Sequence, residues 1–324
     1  MAGRLRYRTG AGTPDRHRLG PVSVPPLTVA RIIGHHTVGV PVTADWSTAQ
    51  DSIVWLVRVP QVLLGALVGA ALAVAGAVLQ TLVRNVLADP HILGVTSGAS
   101  TGAAVSLLFG GSVAAGASAA SAFTGAVLAT ALLVAIAHLN GQMTSLRLLL
   151  GGVTIGYLFS AATSFLIFAS DDQEGARTVL FWLLGSLGSA AWPSVATTTA
   201  VTVVAILALV LLATRLDMLA AGDDTARALG LSPGRLRMIT LGIVALAIGD
   251  VVAVAGAIGF VGLIVPHVAR LCVCTGHRRL LPLSALLGAL FLVVADVVAR
   301  LASHPVSYHW ASSPRWSAPP FSSY

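Results

Sequence analysis

Long apolar runs are the feature that most restricts what this chain can fold into. Seven runs have the ~17–25 apolar residues that a membrane-spanning helix needs, and an eighth, Ile258–Val273, is shorter and follows Gly256. A membrane barrel would instead show alternating segments of ~10 residues. The sequence therefore predicts an all-α fold, a polytopic transmembrane helix bundle of about eight spans. The longer runs are Pro60–Leu82, Ile92–Phe109, Val113–Ala137, Leu146–Ala169, Val195–Ala213, Leu236–Ala255 and Leu281–Leu301.

The charges of the chain favour the same class. Only 10% of the 324 residues are charged and 56% are hydrophobic, whereas a soluble domain carries roughly a quarter charged residues. The sequence has no lysine, so all 19 basic residues are arginine. A pI near 10.6 is also typical of nucleic-acid binding. The arginines beyond the N-terminal segment, however, lie between the apolar runs, so we expect membrane lipid and no nucleic acid as partner.

The distribution of charge among the loops predicts which side faces the cytoplasm. Arginines occur at Arg84, at Arg147, from Arg215 to Arg237 and from Arg270 to Arg279. The opposite loops are neutral or acidic, and Ser170–Pro193 carries three acidic side chains against one arginine. By the positive-inside rule, the arginine-bearing loops are cytoplasmic.

The longest polar stretch inside the hydrophobic region is the predicted cytoplasmic segment Thr214–Arg237. Asp223 or Asp224 is expected to cap a short helix that ends at Gly230. A second helix is expected to start at Ser232–Pro233. Two short capped helices on a membrane face suit the docking of another protein, and a solvated connector explains the same stretch equally well.

The remaining polar residues do not form a catalytic pattern. Without lysine the chain has no Walker A loop, so no catalytic residue is predicted. Asp250 and Asp296 lie inside apolar spans, where a carboxylate is a functional candidate, and Asp296 is spaced to pair with Arg300. The histidines at span ends lack the spacing of a metal site, so none is predicted. These histidines are His91, His138, His267 and His277.

Six stretches of sequence, in a fixed order along the chain, characterise it more narrowly than its composition does. They occupy residues 58–65, 69–80, 84–98, 181–188, 256–270 and 277–288, and one reads Gly256-Ala-Ile-Gly-Phe-Val-Gly-Leu-Ile-Val-Pro-His-Val-Ala-Arg270. Together they closely resemble the FecCD-type permeases, the membrane subunits of ABC importers for iron–siderophores, haem and cobalamin. The resemblance covers roughly Gly20 to Val306.

The resemblance implies a transmembrane permease subunit of an ATP-driven importer, and not an enzyme by itself. It implies an ABC ATPase subunit that carries ATP and Mg, so no cofactor is expected in this chain. A second permease subunit, in a homo- or heterodimer, and a substrate-binding protein complete the expected assembly. The expected location is the bacterial cytoplasmic membrane.

The resemblance also implies site residues at both faces. In the family, the connector that matches Gly222–Leu236 docks in a groove of the ATPase. The ATPase-coupling residues expected from it are Gly222, Asp223, Asp224, Thr225, Arg227, Ala228, Leu229 and Gly230. On the outer face, Arg58 and Arg300 match arginines that hold glutamates of the binding protein. Gln61 stands where a further docking arginine is usual.

The substrate path is expected to be lined by the second, fifth, eighth and tenth family spans. In this chain the first three of these correspond to Pro60–Leu82, Leu146–Ala169 and Ile258–Val273. Thr163, Ser164 and Phe168 are the candidate path residues.

The two ends of the sequence depart from the ten-span family pattern. The expected domains are a polar, Arg-rich segment at 1–19, the permease domain at 20–306 and an aberrant polar tail at 307–324. Back-translation of the tail in the neighbouring frame from Val306 gives Glu-Leu-Pro-Leu-Gly-Ile-Val-Thr, which resembles the start of the family's tenth span. A frame change near Val306 is the resulting hypothesis, and the coding DNA decides it.

Two other functions stay open from the sequence. An ion- or proton-coupled secondary transporter would need Asp250 or Asp296 exposed to a cavity. A defective, truncated permease would insert without transporting anything.

Overall fold

A computed structural model describes residues 24–38, 45–90, 93–110, 115–138, 143–273 and 276–302. All regular secondary structure within these ranges is helical, which confirms the predicted all-α fold. The chain divides into two compact units, one ending at Arg58 and the other beginning at Val59.

The described part of the first unit contains two α-helices and a π-helical segment. They are α1 at Pro26–Val38, α2 at Thr48–Ser52 and the π-helical segment Ile53–Arg58. Within this unit, Arg31 forms an ion pair with Asp45 at 2.6 Å. The sequence patterns did not predict α1, because its 13 residues are too few for a span.

The second unit, in its described ranges, is a bundle of eight apolar helices with three short ones. The longer apolar helices are α3 at Val59–Val83, α4 at Val95–Phe109, α5 at Ala115–His138, α6 at Ser145–Ala169, α8 at Trp192–Leu211, α11 at Pro233–Ala255, α12 at Val261–Cys272 and α13 at His277–Ala302. The short ones are α7 at Gln173–Leu183, α9 at Ala213–Ala220 and α10 at Asp223–Ala228.

Helix α3 forms the centre of this unit. Every residue from Val68 to Val83 is buried, against neighbours in α8, α11, α12 and α13. Its small residues permit this, because an added Cβ at Gly69 would collide with the backbone of Gly288 in α13. Helices α4, α5 and α6 pack together beside it, and α11 contacts both groups.

The outward faces of the helices are apolar, as a membrane protein requires. In α13, the buried residues Leu281, Ser284, Gly288 and Leu292 follow helical spacing, whereas the intervening Leu286 is 70% exposed. In water such a surface would be unstable, and in lipid it is solvated by acyl chains.

All eight predicted spans lie on helices, with boundaries that differ by a few residues. Among the described residues, six helical stretches are long and apolar enough to cross a membrane, and α4 and α12 are shorter apolar helices. The six are Thr48–Val83, Ala117–His138, Ser145–Ala169, Trp192–Leu211, Pro233–Ala255 and His277–Ala302. The predicted boundaries at 19 and 306, and the tail, lie outside the described residues and stay predictions.

Candidate functional site

The predicted coupling helix is present as α10, and two glycines set its ends. Gly222 precedes it with a φ of +129°, and Gly230 follows it with a φ of +79°, both conformations that favour glycine. The amide of Leu231 donates to the carbonyl of Ala226 and closes the C-terminal turn. The predicted end at Gly230 is therefore confirmed.

Two details of that prediction are wrong. Gly222 is the N-cap and neither aspartate caps the helix, because Asp223 and Asp224 already lie within its first turn. Pro233 does start a helix, but that helix is the membrane span α11 and not a second short one. The other short helix in the predicted cytoplasmic segment is α9, which precedes α10.

Asp223 is held by a buried arginine that the sequence patterns did not single out. Arg237 of α11 is 0% exposed, and it donates to both carboxylate oxygens of Asp223, from Nη1 at 2.9 Å and from Nη2 at 2.8 Å. Such a bidentate ion pair is among the strongest interactions between an arginine and a carboxylate. The first turn of α10 is thereby joined to the membrane helix α11.

Arg237 reaches two further elements. Its Nε donates to the carbonyl of Leu82 in α3 at 3.3 Å. Its Nη1 donates to the carbonyl of Met143 at 3.0 Å, and its Nη2 to Oγ of Ser145 at 2.8 Å. The ends of α3, α6 and α11 on the predicted cytoplasmic side therefore meet α10 at one guanidinium.

A second arginine approaches Asp223 from the end of α3. Arg84 Nη2 lies 2.6 Å from Asp223 Oδ1 and 3.3 Å from the carbonyl oxygen of Leu219 in α9. Its backbone has a φ of +51°, a left-handed conformation that costs on the order of 1 kcal/mol for a non-glycine residue. Helix α3 therefore ends at Val83, and Arg84, the next residue, pairs with Asp223.

These contacts keep Asp223 charged. The hydrogen bonds from Arg237 lower the pKa of Asp223 below the ordinary aspartate value, while partial burial opposes that shift. The charges of Arg237, Arg84 and Arg227 lower this pKa further. Because the folded-state pKa is depressed, the ion pairs stabilise the fold above the ordinary aspartate pKa and are lost only as the pH falls through the lowered value.

Helix α9 has its own connection to the bundle. Asp217 Oδ1 accepts from the backbone amide of His277 at 3.0 Å and lies 2.5 Å from its Nδ1. The other ring nitrogen, Nε2, lies 2.8 Å from Oγ1 of Thr81 in α3. His277, predicted only as a residue at a span end, therefore links α9, α13 and α3.

The outward side of α10 carries exposed side chains of mixed chemistry. Leu229 is 57% exposed, and Arg227 forms an exposed ion pair with the fully exposed Asp224 at 2.8 Å. Only Ala226 of this helix is buried. The helix thus presents an apolar side chain and both signs of charge on the predicted cytoplasmic side.

At the opposite face, Arg300 pairs with Asp296 as the spacing predicted. Arg300 Nη2 lies 2.7 Å from Asp296 Oδ2, and the Arg300 side chain remains 38% exposed. Gln61 donates to Asp296 Oδ1 at 3.1 Å. Arg58 belongs to the other unit, where it ends the π-helical segment and is half-buried.

The three candidate path residues lie in two different environments. Thr163 is buried, and its Oγ1 lies 2.8 Å from Oγ1 of Thr101 in α4. Ser164 and Phe168 are exposed on α6, Phe168 at 88%. Only the latter two are accessible in this structure, and their role stays a prediction.

Asp250, the carboxylate on which a secondary transporter would depend, lies half-buried in α11. Its Oδ2 is buried without a hydrogen-bond partner among the described residues. Asp296, the other such carboxylate, is occupied by Arg300 and Gln61.

Comparison with known proteins defines the class. The model of the FecCD transport family matches residues 18–311. The chain therefore belongs to the FecCD family, and it is a multi-pass membrane permease of the ABC importer class.

Two relatives are named for the import of cobalamin or of vitamin B12. The cobalamin import system permease protein BtuC of Halobacterium salinarum NRC-1 is 44% identical over 262 residues, 81% of this chain and 69% of that protein. The vitamin B12 import system permease protein BtuC of Vibrio cholerae serotype O1 is 44% identical over 258 residues, 79% and 77% of the two chains.

Solved structures agree on the fold. An inward-facing conformation of a metal-chelate type ABC transporter superposes with a TM-score of 0.74 at 32% identity, over 86% of this chain and 88% of that one. PsaBC from Streptococcus pneumoniae, in complex with a Fab, gives a TM-score of 0.50 at 18% identity, over 79% and 94%. The latter likeness concerns the fold alone.

Proposed function

We propose that this chain is the permease subunit of a bacterial importer that moves a cobalamin-type chelate across the cytoplasmic membrane. ATP is hydrolysed on a separate ATPase subunit, which docks on α10 and its flanking glycines, Gly222–Gly230. A substrate-binding protein delivers the chelate to the outer face, and a second permease subunit completes the path.

The observation that carries this proposal is the construction of α10. Its outward side exposes Leu229, Arg227 and Asp224, while its first turn is fixed to the bundle through Asp223. An exposed leucine among charges on a rigidly held helix suits a protein partner, because apolar contact supplies affinity and the charges supply register. A solvated connector needs neither feature.

The choice of a cobalamin-type cargo is supported by the relatives. Both BtuC proteins are more similar to this chain than is the metal-chelate transporter of known structure, at 44% against 32% identity. We therefore place the cargo in the corrinoid class rather than among iron–siderophores.

Uptake into proteoliposomes tests the function and the cargo together. With its ATPase and binding protein, the permease is expected to import labelled cobalamin with ATP and not with a non-hydrolysable analogue. A ferric siderophore, offered in parallel, is expected to give at least about tenfold less uptake. Uptake that does not depend on ATP and is lost when the proton gradient is dissipated would identify a secondary transporter. Absence of uptake of either cargo would identify a defective permease.

Arg300 is our candidate for holding the binding protein, and its partner Asp296 provides a discriminating variant. Arg300→Gln removes the cation and is expected to weaken binding of that protein by about tenfold. Asp296→Asn leaves Arg300 charged without its internal competitor, so binding should be unchanged or tighter. Equilibrium binding to the reconstituted transporter measures both, and equal losses from the two variants would show that the ion pair is only structural.

A further inference from the structure

The guanidinium of Arg237 has no unused donor. An arginine side chain carries five N–H groups, and each has an acceptor here: Leu82 O, Met143 O, Ser145 Oγ and both oxygens of Asp223. The side chain is 0% exposed, so no water competes for these donors. A buried cation satisfied this completely has one stable position.

Apolar packing contributes little to holding α10 in place. Ala226 is the only buried residue of its six, and it has no side chain beyond Cβ. The ion pairs of Asp223 with Arg237 and Arg84 are therefore the main attachment of the helix. The exposed ion pair of Arg227 with Asp224 differs from this attachment, because both of its members belong to α10.

From this geometry we propose that Arg237 and Asp223 form the connection through which displacement of α10 moves the membrane helices. The proposal rests on the proposed function, in which the ATPase docks on α10. If α10 moves, Asp223 moves with it. Separation of Asp223 from Arg237 would leave the buried guanidinium without its carboxylate partner, which is strongly destabilising. Arg237 therefore follows, and with it the ends of α3, α6 and α11 that its other donors hold. Arg237 is a positioning residue, since it contacts neither cargo nor nucleotide.

The test compares ATP hydrolysis with import in variants of this connection. In the reconstituted complex, Asp223→Asn is expected to lower the cargo imported per ATP hydrolysed by about tenfold. Asp223→Glu keeps the charge and should recover part of the loss. Arg84→Gln, which removes only the partly exposed arginine, should give a smaller loss. The matched control is Arg278→Gln, an exposed arginine at the start of α13 and outside the connector Gly222–Leu236, and it should match the parent.

A distance measurement separates a loose connection from a damaged fold. Spin labels on Thr225 of α10 and Leu271 of α12, both exposed, report the position of α10 in nanodiscs once Cys272 and Cys274 are replaced by serine. Asp223→Asn should broaden the distance distribution, and Arg278→Gln should not. A narrow distribution with parental import per ATP in Asp223→Asn would overturn the proposal.

A further variant tests the docking of the ATPase on α10 independently of the connection between Arg237 and Asp223. A Leu229→Asp variant disturbs only the exposed side of α10. If Leu229→Asp abolishes import and Asp223→Asn does not, α10 still receives the ATPase and the role of Arg237 alone is wrong. If Leu229→Asp imports normally, the docking of the ATPase on α10 is itself contradicted.

Discussion

Gly288→Ala is expected to destabilise the permease by about 2 kcal/mol, because α3 and α13 touch through their backbones at this position. A Cβ on residue 288 would lie 2.6 Å from Cβ of Ala73 and closer still to the carbonyl oxygen of Gly69. Neither atom is the end of a flexible side chain, so the two helices must separate along their length. Thermal unfolding in detergent, followed by size-exclusion chromatography, measures the loss, and Gly288→Leu should give no folded protein.

Gly242→Ala is the matched control for this prediction. Both glycines lie inside long helices, and alanine improves helix propensity at each by up to ~1 kcal/mol. An added Cβ at Gly242 in α11 meets no atom within 4 Å. Gly242→Ala should therefore be as stable as the parent or more so. Equal stability of the Gly288 and Gly242 variants would mean that close approach of α3 and α13 is not needed for folding.

The apolar pattern predicted the bundle because a membrane leaves a chain few choices. Runs such as Pro60–Leu82 and Leu146–Ala169 must be helical to satisfy their backbones in lipid, and α3 and α6 cover them. The amphipathic α7 was missed, since its apolar residues are too few for a span and it lies in a loop. Its position depends on packing against α4, which local sequence does not encode.

The candidate site was predicted only in outline, for a physical reason. The boundary at Gly230 follows from local backbone chemistry, and it was found. Asp223, like Asp224, was a candidate to cap its own helix, which is the commonest use of an aspartate at that position. Its carboxylate instead binds Arg237, 14 residues away, and Arg84, 139 residues away.

One feature of the sequence could have indicated Arg237, although the apolar pattern did not single it out. It is followed by the apolar residues of α11, so a helix starting at Pro233 places its charge inside the packed end of the bundle. A buried arginine requires a carboxylate or several carbonyl partners. Which partner it binds is set by tertiary contact between α10 and α11, and only the structure supplies that.

The double variant Arg227→Glu, Leu229→Asp is expected to abolish ATP-driven import while leaving the amount of membrane-inserted permease unchanged. Both side chains lie on the exposed side of α10, where Leu229 is 57% exposed and Arg227 contacts Asp224. Neither belongs to the buried core, so folding should not suffer. At an interface, however, a buried carboxylate in place of leucine and a reversed charge each cost on the order of 2 kcal/mol of binding or more. Co-purification of the ATPase and ATP-dependent uptake measure the effect, and Arg278→Glu, an exposed charge reversal at the start of α13, is the control.

The pattern of loss distinguishes docking from coupling. The double variant changes the outward side of α10, so the permease should no longer bind the ATPase. Asp223→Asn changes the inward side, so the permease should still bind the ATPase but import little cargo for the ATP hydrolysed. Normal uptake by the double variant would count against any role of α10 in contacting the ATPase. Retained ATPase with lost uptake would instead mean that the outward side also carries the movement, and that binding energy comes from residues flanking α10.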